Sequence, residues 1–515
     1  MTDLIERLHQ AAHLGMVASV WAQEKPDQTA IHDPQGTHSF FDINANANRI
    51  VRLLRAHGLK AGDTVALMCS NRAEFVEVLN ATLRGGFRFT PVNWHLTEGE
   101  VDYIINDCEA KALIAEPRYP AALSAQAPGV ALKVAIGGAA DGFLSYAETL
   151  AGLDGSDIDD PELGGAMLYT SGTTGRPKGV HRRNNIVAIL PTPGEPHDVQ
   201  LCAGPAYHAA PLAFDVRSAM NQGSPLVFLD RWNSEAVLAA IDSHGVTRAH
   251  LVPIMFQRLL ALPPEVKAKY DISSLRYVIH GAAPCPPEVK KAMIDWIGPI
   301  IHEYYAGSEG GAGFLIDSQE WLSKPGTVGR LPAPDAIRLL DDEGGEITEK
   351  NRSGTIYFKV SPIAPFEYWK DPTKTASAHR DGYFTLGDVG YLDDDDYLFL
   401  TGRSAECIIS GGVNIYPQEI DNEIIKHPAV EDSCAIGVPD EDWGESVKVV
   451  VTLHPGQTPS PALAADILAF ARGHLAGFKV PKTLEFVEEL PRSPAGKIQR
   501  GKVRAPYWAG RARQI

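Results

Sequence analysis

Residues Tyr169 to Val180 read YTSGTTGRPKGV, and they follow directly on the apolar run Ala166, Met167, Leu168. An apolar stretch that empties into glycines, hydroxyls and then Arg176 and Lys178 constrains the chain strongly, because that is the composition of a loop built to hold a polyphosphate. Glycine lets backbone N–H groups turn toward an anion with no Cβ in the way, Ser and Thr hydroxyls donate further hydrogen bonds, and the cations supply charge. The segment is not a Walker A loop: Gly172 and Gly175 are too close for that pattern, and Gly179 rather than a hydroxyl residue follows Lys178. The Rossmann glycine spacing is absent as well. For the loop taken alone, a solvated Gly/Ser/Thr linker is the competing reading.

The rest of the composition narrows the class. A chain of 515 residues predicts three or four lobes, at roughly 150 residues each. Hydrophobic residues at 44% and charged residues at 22% are ordinary globular values. The net charge of −17 argues against a general binder of nucleic acid or membrane surface. A local cluster such as Arg176, Lys178, Arg182 and Arg183 can still attract a phosphate, since salt confines surface fields to about 8 Å. Cys69, Cys108, Cys202, Cys285, Cys407 and Cys434 form no CxxC pair and read as buried or inert thiols in a reducing compartment. The terminus MTDLIERLHQ is charged where a secretion signal would be apolar. The most apolar region, Leu251 to Leu262, is broken by Pro253 and Arg258 and falls short of the ~20 residues that span a bilayer. A soluble, cytoplasmic protein with no transmembrane segment is expected.

Short β-rich runs such as Thr64 to Met68 and Ala112 to Ile114 alternate with helix-like stretches, which predicts α/β layers and parallel sheet. Thr97 and Glu100 form a capping box, with Leu96 and Val101 as a staple, leading into a helix with Val101, Ile104 and Ile105 on one face. Arg248 to Val252, Leu275 to His280 and Ile300 to Tyr305 read as strands of an open doubly wound sheet, with glycine and proline after them where ligands usually sit. After residue 320, KPGTVGRLPAPD, LLDDEGGEIT and SGTIYFKV predict short antiparallel strands of a small β subdomain. The acidic block Asp393 to Asp396 reads as a solvated loop rather than a metal site. From Arg403 an apolar strand, a Gly-Gly turn and an amphipathic helix with Ile420, Ile424 and Ile425 inward open a further small domain. The fold class expected is α/β. A large multi-lobed amino-terminal domain spans 1–402, a boundary or hinge 403–406, and a small α+β carboxy-terminal domain 407–515.

Four more motifs follow the opening loop in order. They are HEYYAGSEG (His302 to Gly310), YFTLGDVG (Tyr383 to Gly390), TGRSAECIISGGVNIYPQEI (Thr401 to Ile420) and PRSPAGKIQR (Pro491 to Arg500). Together the five resemble the acyl- and aryl-CoA synthetases of the adenylate-forming superfamily, which also contains luciferases and peptide-synthetase adenylation domains. The resemblance covers nearly the whole chain and implies a ligase that uses ATP, Mg²⁺ and coenzyme A.

The resemblance assigns Thr170, Ser171, Gly172, Thr173, Thr174, Gly175 and Lys178 to the ATP phosphates, with Thr174 among the catalytic group. Tyr305 would stack on adenine, with Tyr304, Glu303 and the stretch Gly281, Ala282, Ala283 beside the ring. Glu309 would be catalytic and help hold Mg²⁺, a hard cation suited to carboxylate, water and phosphate oxygens. Ser308 stands where threonine is more usual and keeps its hydroxyl. Asp388 would accept from the ribose hydroxyls, with Arg403 near ribose and phosphate. Singly, Tyr305 reads rather as core, Asp388 as a turn former and Arg403 as a surface ion pair; five motifs in order reverse that and favour the functional reading. Lys497 would be the catalytic lysine, since a carboxylate attacking the α-phosphorus develops charge that a long, mobile ammonium neutralises. Glu406 would be the hinge about which the small domain rotates between half-reactions; the family more often has Lys-Asp or Asp-Asp there than Ala405 and Glu406. Gly411 and Gly412 would line the pantetheine tunnel, and Trp443, Gly444 and Lys479 are weaker candidates near CoA.

The acyl pocket is expected between YHAAPL, the HGAAP strand end and the residues after Glu309, with His208, Ala209, Gly281 and Gly310 as its substrate residues. Small side chains there favour a medium, long or bulky acyl group, fatty acids first and aromatic or steroid side-chain acids second; close packing alone explains them equally well. Asp215 in AFDVRS superficially resembles the carboxylate of amino-acid-activating domains. A carrier-protein ligase, a luciferase-like oxidative use of the adenylate and a nonenzymatic nucleotide sensor complete the alternatives. The expected partners are a small carboxylic acid, ATP and CoA, without nucleic acid. A homodimer and a lysine acetyltransferase acting on Lys497, which lies in a P, four residues, G, K pattern, are further candidates.

Overall fold

The run Thr64–Met68 folds as a strand, β1, buried at every position, because a strand sandwiched between helical layers needs apolar residues on both faces. The computed structural model describes residues 2–509 apart from 126, 171–176, 183, 184, 186, 188, 342, 364, 404, 405, 411, 412, 441, 442, 476, 494 and 495, and apart from the side chains of 403, 413 and 414. Its contacts divide the chain into one unit of residues 1–251, 262–279 and 360–377 and a second of 252–261, 280–359 and 378–515.

In the first unit β1 lies inside a six-stranded sheet whose pairings are all parallel, flanked by Ala110–Ala115 and Arg88–Pro91. Helix α1 (Glu98–Asp107) follows Arg88–Pro91 and begins with the expected capping box: the Thr97 backbone N–H and hydroxyl donate to Glu100 at 2.9 and 2.8 Å. Its Val101, Ile104 and Ile105 are buried; full burial of such a side chain contributes about 1.5–3 kcal/mol. Strands β2 (Leu168–Thr170) and β3 (Lys178–Arg182) form an antiparallel hairpin extended by Phe366–Tyr368. A second sheet sets Arg248–Leu251, Gln200–Cys202, Leu226–Phe228 and Thr29–Asp33 side by side in parallel, as the doubly wound reading expects.

In the second unit helix α2 (Pro287–Ile297) precedes a hairpin of β4 (Ile301–Gly307) and β5 (Gly310–Ile316). The antiparallel β subdomain is present, with strand order Thr327–Arg330, β7 (Tyr397–Arg403), β6 (Tyr383–Leu392), Gly354–Lys359, Ile337–Leu340. The acidic block before β7 is a surface turn neutralised by lysine: Lys324 Nζ lies 2.8 Å from Asp393 and 2.5 Å from Asp395. Residues 408–486 build a further five-stranded sheet with its own apolar core. Helix α3 (Pro417–Ile424) lays Ile420 and Ile424 into that core, whereas Ile425, expected inward, falls at the helix end and is only half-buried. The six cysteines are unbridged; Cys285 is half-buried and the others buried. Among the described residues no helix is long and apolar enough to cross a membrane.

Candidate active site

The expected site residues fall in both units, and each group has its own geometry. In the first unit the β2–β3 hairpin frames the glycine-rich loop, with Thr170 opposite Lys178 and Tyr169 opposite Gly179. Ser171, Gly172, Thr173, Thr174 and Gly175 lie outside the described residues. The base of the hairpin is anchored from both sides: the Tyr169 hydroxyl donates to Asp107 Oδ2 on α1 at 2.5 Å, and His181 Nδ1 lies 3.0 Å from Glu367 Oε1. Burial and the Asp107 carboxylate push the Tyr169 phenol up, so it remains a donor. Lys178 Nζ sits 5.8 Å from the centre of the Tyr368 ring.

His208 is half-buried, its ring 4.6 Å from that of Tyr207, just ahead of the short helix Ala209–Pro211. That helix runs into a π-helical turn, Leu212–Arg217. The turn carries Asp215 inward, where it is fully buried and accepts from Gln200 Nε2 at 2.8 Å and from the His250 backbone N–H at 3.0 Å. Burial raises its carboxyl well above the usual range. A carboxyl committed to the interior is not the exposed carboxylate that a substrate ammonium would require.

In the second unit β4 carries the HEYYAGSEG motif. Tyr305 is 8% exposed and its hydroxyl donates to Asp388 Oδ2 at 2.8 Å. Asp388, on β6, is itself buried and stands directly opposite Arg403 on β7. Two of the three residues expected around the nucleoside, Asp388 and Arg403, thus lie on neighbouring strands, and the Tyr305 hydroxyl reaches Asp388 from a strand of another sheet. Tyr304 faces the other way, against Gly281, where a Cβ would fall 2.6 Å from its ring. Only glycine allows that approach. The next residue, Ala282, holds φ of +66°, a left-handed conformation rare for alanine and a mark of local strain. Glu303, expected beside the adenine ring, is held by two basic side chains: its Oε2 is 2.7 Å from Lys290 Nζ and 3.5 Å from His280 Nε2. Ser308 and Glu309 form the turn between β4 and β5, closed by Gly307 opposite Gly310. A single carboxylate at a hairpin tip fits Mg²⁺, which usually takes one or two carboxylates with substrate phosphates and water.

Lys497 sits in a tight loop. The Ser493 N–H donates to the Lys497 carbonyl at 2.7 Å, the Lys497 N–H donates to Ser493 Oγ at 3.2 Å, and Arg492 pairs with Ile498 in an isolated bridge. Gly496 holds φ of +79°, and a Cβ there would collide with Ile254. Arg492 braces the loop from beneath, donating to the Gly496 carbonyl at 2.7 Å and pairing with Asp432. Glu406 Oε2 accepts from Arg500 Nε at 3.0 Å, and the same guanidinium reaches Asp421 Oδ2 at 2.9 Å. Gly411 and Gly412 lie outside the described residues. Lys479 Nζ is 2.5 Å from Glu419 Oε1, and Trp443 is exposed beneath Lys482.

The family model described as AMP-binding enzyme matches residues 19–365, and the AMP-binding enzyme C-terminal domain matches 419–497. The chain belongs to the AMP-binding enzyme family. It is thereby an AMP-forming acid–thiol ligase of the adenylate-forming superfamily. It is 33% identical to a feruloyl-CoA synthase of Amycolatopsis sp, over 94% of this chain and 97% of that protein. It is 31% identical to the fatty acid–[acyl-carrier-protein] ligase ScoC of Streptomyces coeruleorubidus, over 99% of this chain and 100% of that one. ATP-bound MatB from Rhodopseudomonas palustris superposes with a TM-score of 0.77 at 30% identity, covering 95% of this chain and 99% of that one.

Sequence reasoning missed three residues of this AMP-binding enzyme that brace the motifs: Lys290, Asp107 and Arg492. A signal existed for the first. Lys290, Met293 and Ile294 lie at i, i+3 and i+4, and these are the buried positions of α2.

Proposed function

We propose that this AMP-binding enzyme joins a carboxylic acid to ATP, giving acyl-AMP and pyrophosphate, and then transfers the acyl group to the thiol of coenzyme A. In the first step a carboxylate oxygen bonds to the α-phosphorus as the bond to pyrophosphate breaks. In the second the thiol sulfur bonds to the acyl carbon, AMP leaves, and the thiol proton goes to solvent. The observation that carries the reading is the Tyr305–Asp388 hydrogen bond, which brings together the two residues proposed to meet a nucleoside's base and ribose. Thr170, Thr174 and Lys178 would grip the phosphates, and Glu309 would hold Mg²⁺, which would screen phosphate charge. Lys497 would neutralise the charge that develops as carboxylate meets phosphate.

The residues 403–406 are the proposed hinge, with 1–402 and 407–515 as the domains that alternate about Glu406. Bulky acids are the proposed substrates, fatty acids first, supported by the alanines and glycines at 209, 210, 282, 283, 310 and 311. An aromatic acid is the second reading, favoured by the similarity to a feruloyl-CoA synthase; transfer to a carrier protein instead of CoA is favoured by the similarity to ScoC. A panel of fatty and aromatic acids, scored for thioester formation with CoA and with a phosphopantetheinyl carrier protein, tests all three. CoA-dependent thioester with a fatty acid is the expected result, and activity only with carrier protein overturns the acceptor.

A further inference from the structure

We infer that Lys290 is a positioning residue for the nucleotide: through Glu303 it fixes the strand that presents Tyr305. This rests on the reading that Tyr305 and Asp388 flank ATP.

Lys290 is fully buried on α2, while its neighbour Lys291 is exposed and pairs with Asp295. An ammonium in the interior is tolerated only where it is paired and hydrogen-bonded. Lys290 Nζ lies 2.7 Å from Glu303 Oε2 and 4.6 Å from the centre of the buried Trp321 ring. The carboxylate is shared, since His280 Nε2 stands 3.5 Å from the same oxygen. His280 in turn packs edge-on to Phe256 at 5.1 Å. Burial pulls the lysine down and pushes Glu303 up, and each partner counters the shift of the other, so the pair is held together by mutual need.

What this pair holds is specific. Alternate residues of a strand share a face, so Glu303 and Tyr305 project to the same side of β4 while Tyr304 projects to the other. Tyr304 is fixed by its contact with Gly281. Glu303 is fixed by Lys290. The strand is therefore gripped on both faces immediately before Tyr305, and beyond Tyr305 the ladder is interrupted by a shift of register between Tyr305 and Gly307. Without the ion pair the last regular residue before that irregularity would lose its directional anchor, and the hydroxyl that reaches Asp388 would move with it. A displacement of about 1 Å at such a point is enough to cost up to a hundredfold in rate.

The test uses the full chain in acid-dependent ATP–pyrophosphate exchange, with KM for ATP and for the acid measured separately and the thermal midpoint recorded. Lys290→Met and Glu303→Gln are expected to raise KM for ATP about tenfold while KM for the acid stays within about twofold. Lys290→Arg, which keeps the charge and a donor, is expected to retain most ATP affinity. Should the single variants fail to fold, Lys290→Met/Glu303→Leu removes both charges and restores the midpoint; it is still expected to show the raised KM for ATP. A double variant with wild-type midpoint and wild-type KM for ATP overturns the inference and makes the pair interior filling. Tyr305→Ala separates the two levels: if it leaves KM for ATP unchanged, the nucleotide reading of β4 is wrong and the role of Lys290 falls with it.

Discussion

The Tyr305 hydroxyl donates to the Asp388 carboxylate across 2.8 Å, and Asp388 stands opposite Arg403 on the next strand. Two motifs 83 residues apart in the chain are thereby one structural unit. Asp388→Ala removes a charged acceptor whose hydrogen bonds are worth about 1.5–3 kcal/mol, so kcat/KM for ATP is expected to fall about 10- to 100-fold. Tyr305→Phe removes only the hydroxyl and costs less. Isothermal titration with ATP and exchange kinetics check both, and an Asp388→Ala enzyme with unaltered ATP kinetics would remove Asp388 from the site.

Lys497→Ala is expected to lower acyl-AMP formation about 10²- to 10³-fold, the usual loss when one charge-stabilising group is deleted. Supplied with synthetic acyl-AMP, the same variant should still make thioester, because that step does not pass through the ammonium. Single-turnover assays of each half-reaction separate the two. Equal loss in both would show that the variant damages the loop rather than one step.

Arg500 ties Asp421, which is 7% exposed, to Glu406, which is 38% exposed. Arg500→Met leaves a buried carboxylate without its cation and is expected to destabilise the chain by about 3–5 kcal/mol. Glu406→Gln, at a partly solvated partner, should cost under about 1 kcal/mol. Urea unfolding followed by tryptophan fluorescence measures both, and equal losses would contradict the ranking.

Glu77 is fully committed to the interior of the first unit, accepting from Tyr146 Oη at 2.5 Å and Asn46 Nδ2 at 2.8 Å. Burial pushes its carboxyl from 4.5 up to about 7, with those hydrogen bonds and His38 opposing the shift. The folded state then holds a proton that the unfolded chain releases. This stabilisation is complete below pH 4.5 and is lost as the pH rises through about 7, an effect of about 3 kcal/mol. Glu77→Gln should flatten that part of the profile. Identical pH profiles for the two proteins, measured by urea unfolding between pH 5 and 8, would refute the assignment.

Much of this architecture is legible in the sequence wherever the local pattern and the tertiary environment agree. Thr64–Met68 is apolar throughout and is a doubly buried strand; Thr97 and Glu100 are a capping box in both. The motif carriers Tyr305 and Asp388 are legible as a pair because their order in the chain matches the family's. The contact that fixes Glu303 is not, because it depends on Lys290 from another element, whose burial is hinted at by its helical spacing but whose partner is not. Arg492 and Asp107 escape notice for the same reason: each acts through a partner far away in sequence, Asp432 or Tyr169, and only the fold brings them together.

The most direct test of the central claim is product analysis with ATP, a fatty acid and CoA. Acid-dependent release of AMP and pyrophosphate in equal amounts, with matching acyl-CoA, is the predicted result. Release of ADP and orthophosphate, or no acid-dependent turnover across fatty and aromatic acids, would contradict it.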